Sequence, residues 1–327
     1  MVSDASGTFG KTIVEKKRRS FWIDLFFRLL KEKPLGTVGL AIVLILLLTG
    51  IFADLLAPYP LGKTDLRHTL EPPSSQHLLG TDNLGRDELS NIIYGARVSV
   101  IIGLSATLLT TIVSVIIGAS SALIGGKFDL VIQRFVDAFL CIPTFLILLI
   151  IVSIMGKGTW QIIVAIGLPM GIGGSRMIRS AVFAVKENVF VDAGRAIGCS
   201  TLRLLIRHIL PNILPVIIIG FSMMVGGAIL MEASLSFLGF GVPPGVPSWG
   251  SMLSQEGRTY MEMAPGLALW PGLALTLVVY GTNMFGDALR DLLDPRLRGG
   301  LGSYRGISEK TRKALLAHSE KAAQGSN

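Results

Sequence analysis

Few residues in this sequence are grouped in a way that could do chemistry. The clearest group lies in "VDAGRAIGCSTLRLLIRHILPN", residues 191–212, where Asp192, Arg195, Arg203, Arg207 and His208 interrupt two long apolar runs. Asp192 and Arg195 are spaced to meet one helical turn apart. A second candidate is Glu232 in "GGAILMEASLSFLGFG". A carboxylate in such an apolar stretch is costly and marks a functional candidate. Its neighbours Met231 and Ser234 join it as candidates for a solute path or gate. The remaining chemistry-bearing residues are dispersed. His68, His77, His208 and His318 show no metal-ligand spacing. Cys141 and Cys199 fall in settings that do not favour a disulfide. "GTDNLGRD" and "GKGT" lack the Gly-Lys-Ser/Thr ending of a phosphate loop. With no convergent carboxylates or histidines to build a catalytic pocket, we expect no catalytic residue, no metal and no enzyme activity.

The elements that hold these residues are apolar. Half of the residues are hydrophobic and 16% are charged, against about 25% charged in globular domains. A helical span needs about 20 apolar residues to cross about 30 Å of hydrocarbon. Uncharged runs at 35–53, 98–126, 138–156, 158–175, 213–231 and 263–286 reach or approach that length. The expected fold class is all-α: a polytopic membrane protein of six transmembrane helices. The first run is too long for a cleavable signal and is expected to stay as a span.

Basic residues orient the spans. With the N-terminus inside, all but six of the 30 Lys and Arg fall in segments 1–34, 127–137, 176–212 and 287–327. The exceptions are Lys63, Arg67, Arg86, Arg97, Lys157 and Arg258. That bias predicts both termini in the cytoplasm. The net charge of +8 therefore reports orientation rather than nucleic-acid binding.

The expected organisation has five parts: an N-terminal cytoplasmic tail with an interfacial helix (1–34), a first span (35–57), an external segment (58–97), a five-helix core (98–290) and a cytoplasmic C-terminal tail (291–327). In the external segment, Gly80 and Gly85 read as turns, and a helix from Asp87 onward runs into the second span. Asp287, Arg290, Asp291 and Asp294 can pair on one face of a solvated helix end. Small residues in the spans permit close helix approach, and Pro143 and Pro169 weaken their helices locally. Loop 176–212 reads as a short helix from Glu187 to Ala196, a break at Gly198, and an amphipathic helix from Thr201. The apolar stripe of that second helix is Leu202, Leu205, Ile206 and Ile209. Such a loop can dock a short helix in a partner's groove.

The same loop resembles the signature of permease subunits of binding-protein-dependent ABC importers. That signature is Glu-Ala-Ala, three residues, Gly, nine residues, then Ile-x-Leu-Pro. Here Asp192-Ala193-Gly194, Gly198 and His208-Ile209-Leu210-Pro211 keep the spacing, with Asp for Glu, Gly for the second Ala and His for Ile. "LGTDNLGRDELSNIIYGARVSV", "RFVDAFLCIPTFLILLI", "EASLSFLGFGVPPGVPSWGSML" and "NMFGDALRDLLDPRLRG" resemble the dipeptide/oligopeptide/nickel branch, in its second permease subunit type. The resemblance covers roughly residues 20–300.

It implies a type I importer transmembrane domain in a bacterial or archaeal cytoplasmic membrane. The partners implied are a homologous second permease, two ATP-binding cassette ATPases, an extracytoplasmic substrate-binding protein and membrane lipid, with no nucleic acid. ATP and Mg belong to the ATPases; this chain binds no cofactor. Glu187, Asp192, Ala193, Gly194, Arg195 and Gly198 become the ATPase-coupling residues. Di- or oligopeptides are the implied solutes, with nickel, glutathione, opines or oligosaccharides as alternatives within the branch. A secondary transporter is the rival class; it would need paired charges or broken helices near the midplane.

Overall fold

A computed structural model describes residues 21–293 except 244. The expected tails before 21 and after 293, with Asp294 and Pro295, lie outside the described residues. α1 (Phe21–Glu32) is helical over the stretch where an interfacial helix is expected. It exposes Ile23, Phe26, Phe27 and Leu30, and buries Leu29 against Ala288 and Leu292. Pro34 opens α2 (Pro34–Ile51), at the one helical position where a missing N–H costs nothing. Lys33, at the turn between them, pairs at 2.5 Å with Asp291. The acidic residue expected to serve its own helix end thus ties that end to the first span. α3 (Ala53–Leu56) finishes the outer end of this arm.

α4 (Glu88–Ile124) begins one residue after the helix start expected at Asp87, which caps it. Its 37 residues exceed what about 30 Å of hydrocarbon requires. The chain then reverses at Gly125–Gly126 into α5 (Gly126–Leu140), followed by α6 (Thr144–Met155). α5 and α6 meet at 85°. The span expected over 138–156 is therefore broken by a bend, and segment 127–137, expected inside between spans, is helical and forms most of α5. Pro143 explains the break: it donates no N–H and drives Ile142 from helical geometry. Apolarity along a run carries no information about its direction.

α7 (Thr159–Lys186) accommodates Pro169 and leads into α8 (Val189–Ala196). α9 (Thr201–Leu204), a π-helical turn over 205–209 and α10 (Leu210–Phe237) then form one continuous helix. The amphipathic cytoplasmic helix and the fifth span, expected as separate elements, are thus a single rod. α11 (Trp249–Met252), a second π turn over 253–257 and α12 (Gly266–Leu293) complete the chain. Among the described residues five helices are long and apolar enough to cross a membrane, and six spans result if the bent pair is one.

The centre of the bundle is the α4–α7 contact. Thr110 Oγ1 donates to Gly167 O at 3.3 Å, and Ser114 Oγ to Gly171 O at 2.9 Å. One turn further, a Cβ on Gly118 would stand 2.3 Å from Ser175 O. The small residues here are spent on backbone-to-backbone approach, which is what holds helices together where lipid and side chain are equally apolar.

Candidate functional site

At the inner end of α7, Glu187 closes that helix instead of opening the next, so the short helix starts at Val189 and not at Glu187. Asn188 Nδ2 donates to the carbonyls of Ala184 and Val185 at 3.2 and 3.0 Å. Two residues therefore join α7 to α8, and the side chain of one is fastened to α7. α8 has an inner and an outer face. Val191 is fully buried among Ala119, Ala122, Ile178 and Val182. Gly194 is buried too; a Cβ there would meet Leu204 at 2.7 Å. Val189 and Ile197 are 84% and 81% exposed, and Phe190, Asp192, Ala193 and Arg195 are exposed beside them. Of the six predicted coupling residues, Gly194 is thus a packing position, Glu187 ends the preceding helix, and Asp192, Ala193 and Arg195 lie on the open face. Asp192 and Arg195 pair at 3.1 Å in solvent.

Gly198 terminates α8. Its φ is +80°, its N–H donates to Arg195 O at 2.9 Å, and the N–H of Cys199 reaches Gly194 O at 3.0 Å. This is the paired closure that a left-handed residue after a helix makes possible.

Beyond the hinge half of the predicted stripe faces inward: Ile209 is buried and Leu205 packs against the same core. Leu202 and Ile206 are 65% and 58% exposed, whereas Leu204 and Ile209 are buried, followed by Ile213. The first interval is five residues, one π turn, and the second is four. The inserted π turn rotates the inward face, which α-helical periodicity could not foresee.

At the outer end Glu232 is completely buried within α10. Its Oε1 accepts from Ser236 Oγ at 2.6 Å, and Oε2 has no hydrogen-bond partner among the described residues. The chain folds back over it. Gly250 lies so close that a Cβ would approach Ala233 O to 2.2 Å, and Trp249 Nε1 donates to Ile92 O at 3.1 Å. Met231 packs against the core of α4, α6 and α7. Ser234 bonds Leu230 O at 2.8 Å, beside an open crevice lined by Phe145 and Leu253. A cavity of about 300 Å³ lies next to this region, with Asn83, Arg86, Lys157, Ser236 and Ser251 among its lining residues.

The external segment is more organised than its turn-forming composition foretells. Asp82, fully buried, accepts from the N–H groups of Leu84 and Arg86, both at 2.8 Å, through Oδ1. Its Oδ2 accepts from Arg86 Nε at 2.6 Å and Asn91 Nδ2 at 3.3 Å. Asp87 caps α4 through Ser90 N at 2.8 Å and meets His77 Nδ1 at 2.9 Å, with Tyr59 stacked on that imidazole. "GTDNLGRD" is thus a carboxylate-centred knot; the available signal was two Asp residues bracketing Gly85. Nearby, Glu71 hydrogen-bonds His68 and raises its pKa from the ordinary value. Arg97 of α4 donates to both oxygens of Asp54 in α3 and holds its carboxyl below the usual range.

Residues 90–299 match the family described as "Binding-protein-dependent transport system inner membrane component". Residues 20–73 match the "N-terminal TM domain of oligopeptide transport permease C". The chain is 36% identical over 285 residues to the oligopeptide transport system permease protein OppC of Bacillus subtilis (strain 168), covering 87% of this chain and 93% of that protein. It is 38% identical over 272 residues to the dipeptide transport system permease protein DppC of Alkalihalophilus pseudofirmus, covering 83% and 89%. Against the glutathione transport system permease protein GsiD of Pectobacterium atrosepticum it is 36% identical over 287 residues, covering 88% and 95%. Among solved structures, a chain of the MetNI methionine ABC transporter in inward-facing conformations aligns with a TM-score of 0.47 at 16% identity, over 62% of this chain and 96% of that one.

Proposed function

Since the chain belongs to the inner membrane components of binding-protein-dependent transport systems, we propose that it is one half of the membrane pathway of an ATP-driven importer for di- or oligopeptides. A homologous second permease supplies the other half. Two cytoplasmic ATPases supply the energy, with ATP and Mg bound on them, and an external binding protein delivers the solute. The peptide assignment rests on the relatives, which are permeases for oligopeptides, dipeptides and glutathione.

The observation that carries the coupling role is the two-faced α8. Val191 and Gly194 fix it to the bundle, while Val189, Phe190 and Ile197 remain uncovered at its outer face. Apolar side chains on a short helix that none of the described residues covers suit a partner's groove. The distribution of Lys and Arg supports a cytoplasmic position for this end and for both termini.

Two measurements test this. Co-expression with its ATPases is expected to yield a stable complex that Phe190→Glu weakens; parental association by that variant would remove α8 from the interface. A cysteine placed within 60–75 is expected to react with an impermeant thiol reagent on intact cells, and one within 305–320 to stay protected. The opposite pattern would invert the topology.

A further inference from the structure

The inner ends of α4, α5 and α7 are joined by charged groups that docking itself does not use. Asp129, in the first turn of α5, is 9% exposed. Its Oδ1 accepts from Arg179 Nε at 2.7 Å and its Oδ2 from Arg179 Nη2 at 2.5 Å. Ser121 Oγ, on α4, donates to the same carboxylate, and Gln133 Nε2 donates to Ser121 Oγ at 3.1 Å. Further along α7, Lys186 Nζ donates to Ala122 O at 2.8 Å and Leu123 O at 3.3 Å. Those carbonyls belong to the last turn of α4, which leaves its final acceptors unsatisfied and carries the negative end of the helix dipole. The Phe183 ring lies between the two cations, 4.8 Å from Arg179 and 5.5 Å from Lys186.

The arrangement is directional. α8 begins three residues after Lys186, and Asn188 fastens the connection. A displacement of α8 therefore reaches Lys186 first and Arg179 two turns later, with no slack between. Arg179 holds α5 by a planar two-bond fork, which resists rotation as a single ammonium contact would not. Lys186 holds α4, 37 residues long, by its end.

We propose that the Asp129–Arg179 fork, with Ser121 and Lys186, is the joint through which movement of α8 is delivered to α4 and α5. These are positioning residues: they touch neither solute nor nucleotide. ATP binding can shift a permease only if the two states differ in free energy at a contact it controls, and a stiff joint is needed to carry that difference past α8. The inference rests on α8 being the docking element.

The test uses the assembled transporter, with both permeases and both ATPases in lipid nanodiscs and the loaded binding protein added. Arg179→Lys keeps the charge and removes the fork; Lys186→Met removes the grip on α4. Both complexes are expected to retain ATPase subunits and unstimulated hydrolysis, while stimulation by loaded binding protein and peptide uptake fall by about tenfold, within the usual range of a site-to-site coupling. Asp129→Glu, which can rebuild the fork, is expected to recover part of the stimulation that Asp129→Asn loses.

Stimulation within about twofold of the parent in both Arg179→Lys and Lys186→Met would overturn the joint, since that is below the usual coupling range. So would a lower yield of assembled complex with unchanged stimulation per complex, which is the signature of residues that only hold the fold. If the parent chain itself captures no ATPase, the docking reading falls first and takes the joint with it; that result is seen before any variant is made.

Discussion

Ser114 donates its hydroxyl to the carbonyl of Gly171 across the α4–α7 contact, one turn beyond the same bond from Thr110 to Gly167. Hydroxyl and glycine depend on each other here, because the bond forms only where a glycine lets the second backbone come within reach. A Cβ on Gly171 would stand 2.6 Å from Val113 Cβ. Removing the hydroxyl with Ser114→Ala is expected to cost about 0.6 kcal/mol, the mean for interhelical bonds in membranes. Gly171→Leu forces the helices apart and is expected to cost several times more. Unfolding of purified protein in mixed micelles measures both, and equal losses would show that the bond, not the approach, holds the pair.

Asp82 offers a second case in which one atom organises many. It is buried and accepts from the backbone N–H groups of Leu84 and Arg86 and from the side chains of Arg86 and Asn91. Asp82→Ala removes the acceptor of the Leu84 and Arg86 N–H groups, and a buried donor left unsatisfied typically costs about 1–3 kcal/mol. The expected result is rapid proteolysis within residues 65–86 while the membrane helices survive. Intact protease resistance of that segment would contradict the role given to Asp82.

The pH dependence of the external segment has a definite sign at His68. Glu71 raises its pKa from an ordinary value of about 6.5. A raised pKa means that the folded segment binds the proton more tightly than the unfolded one. The pair therefore contributes fully below about pH 6.5 and its contribution is lost as pH rises through the higher folded value. Both side chains are well exposed, so the effect is small. Labelled-histidine NMR is expected to show a titration midpoint above the ordinary one that returns to it in Glu71→Gln. An unshifted midpoint in the parent would refute the pairing.

How much of this was legible in the sequence depended on the kind of signal. The helices announced themselves by apolarity, the outer start of α4 by Asp87, and the hinge by Gly198 following a short basic helix. Direction and rotation did not. The 85° bend between α5 and α6 lies inside an apolar run in which Pro143 was the only mark. The π turn over 205–209 puts Leu204 in the core beside the expected Ile209 and leaves Leu202 and Ile206 outside it, without changing the composition at all. The Asp129–Arg179 fork joins residues 50 positions apart, and nothing in either local sequence distinguishes those charges from solvated ones. For Gly194 the motif's spacing gives its place on the short helix, but only packing shows that it is buried against Leu204.

The hinge itself yields the most discriminating prediction. Gly198 has φ +80° and open space around the position a Cβ would occupy. Substitution there meets no neighbour, so any penalty comes from the backbone alone. Among residues with a side chain, asparagine enters the left-handed region most readily and β-branched residues least. Gly198→Asn is therefore expected to keep the closing bonds to Gly194 and Arg195, to leave α8 aimed as in the parent, and to retain ATPase association and stimulated hydrolysis. Gly198→Val is expected to lose about 1–2 kcal/mol at the turn. It can recover part of that by leaving positive φ, but doing so breaks both closing bonds and swings α9 relative to α8. Since α9 continues unbroken into α10, the misdirection is carried into the membrane and is not absorbed in a loop. Association measured by pull-down, and hydrolysis measured with and without loaded binding protein, should rank the parent and Asn together and Val well below. If Asn and Val fall equally, bulk at an interface governs the position and the partner's groove reaches Gly198; if neither falls, the left-handed turn is dispensable and the aim of α8 is set elsewhere.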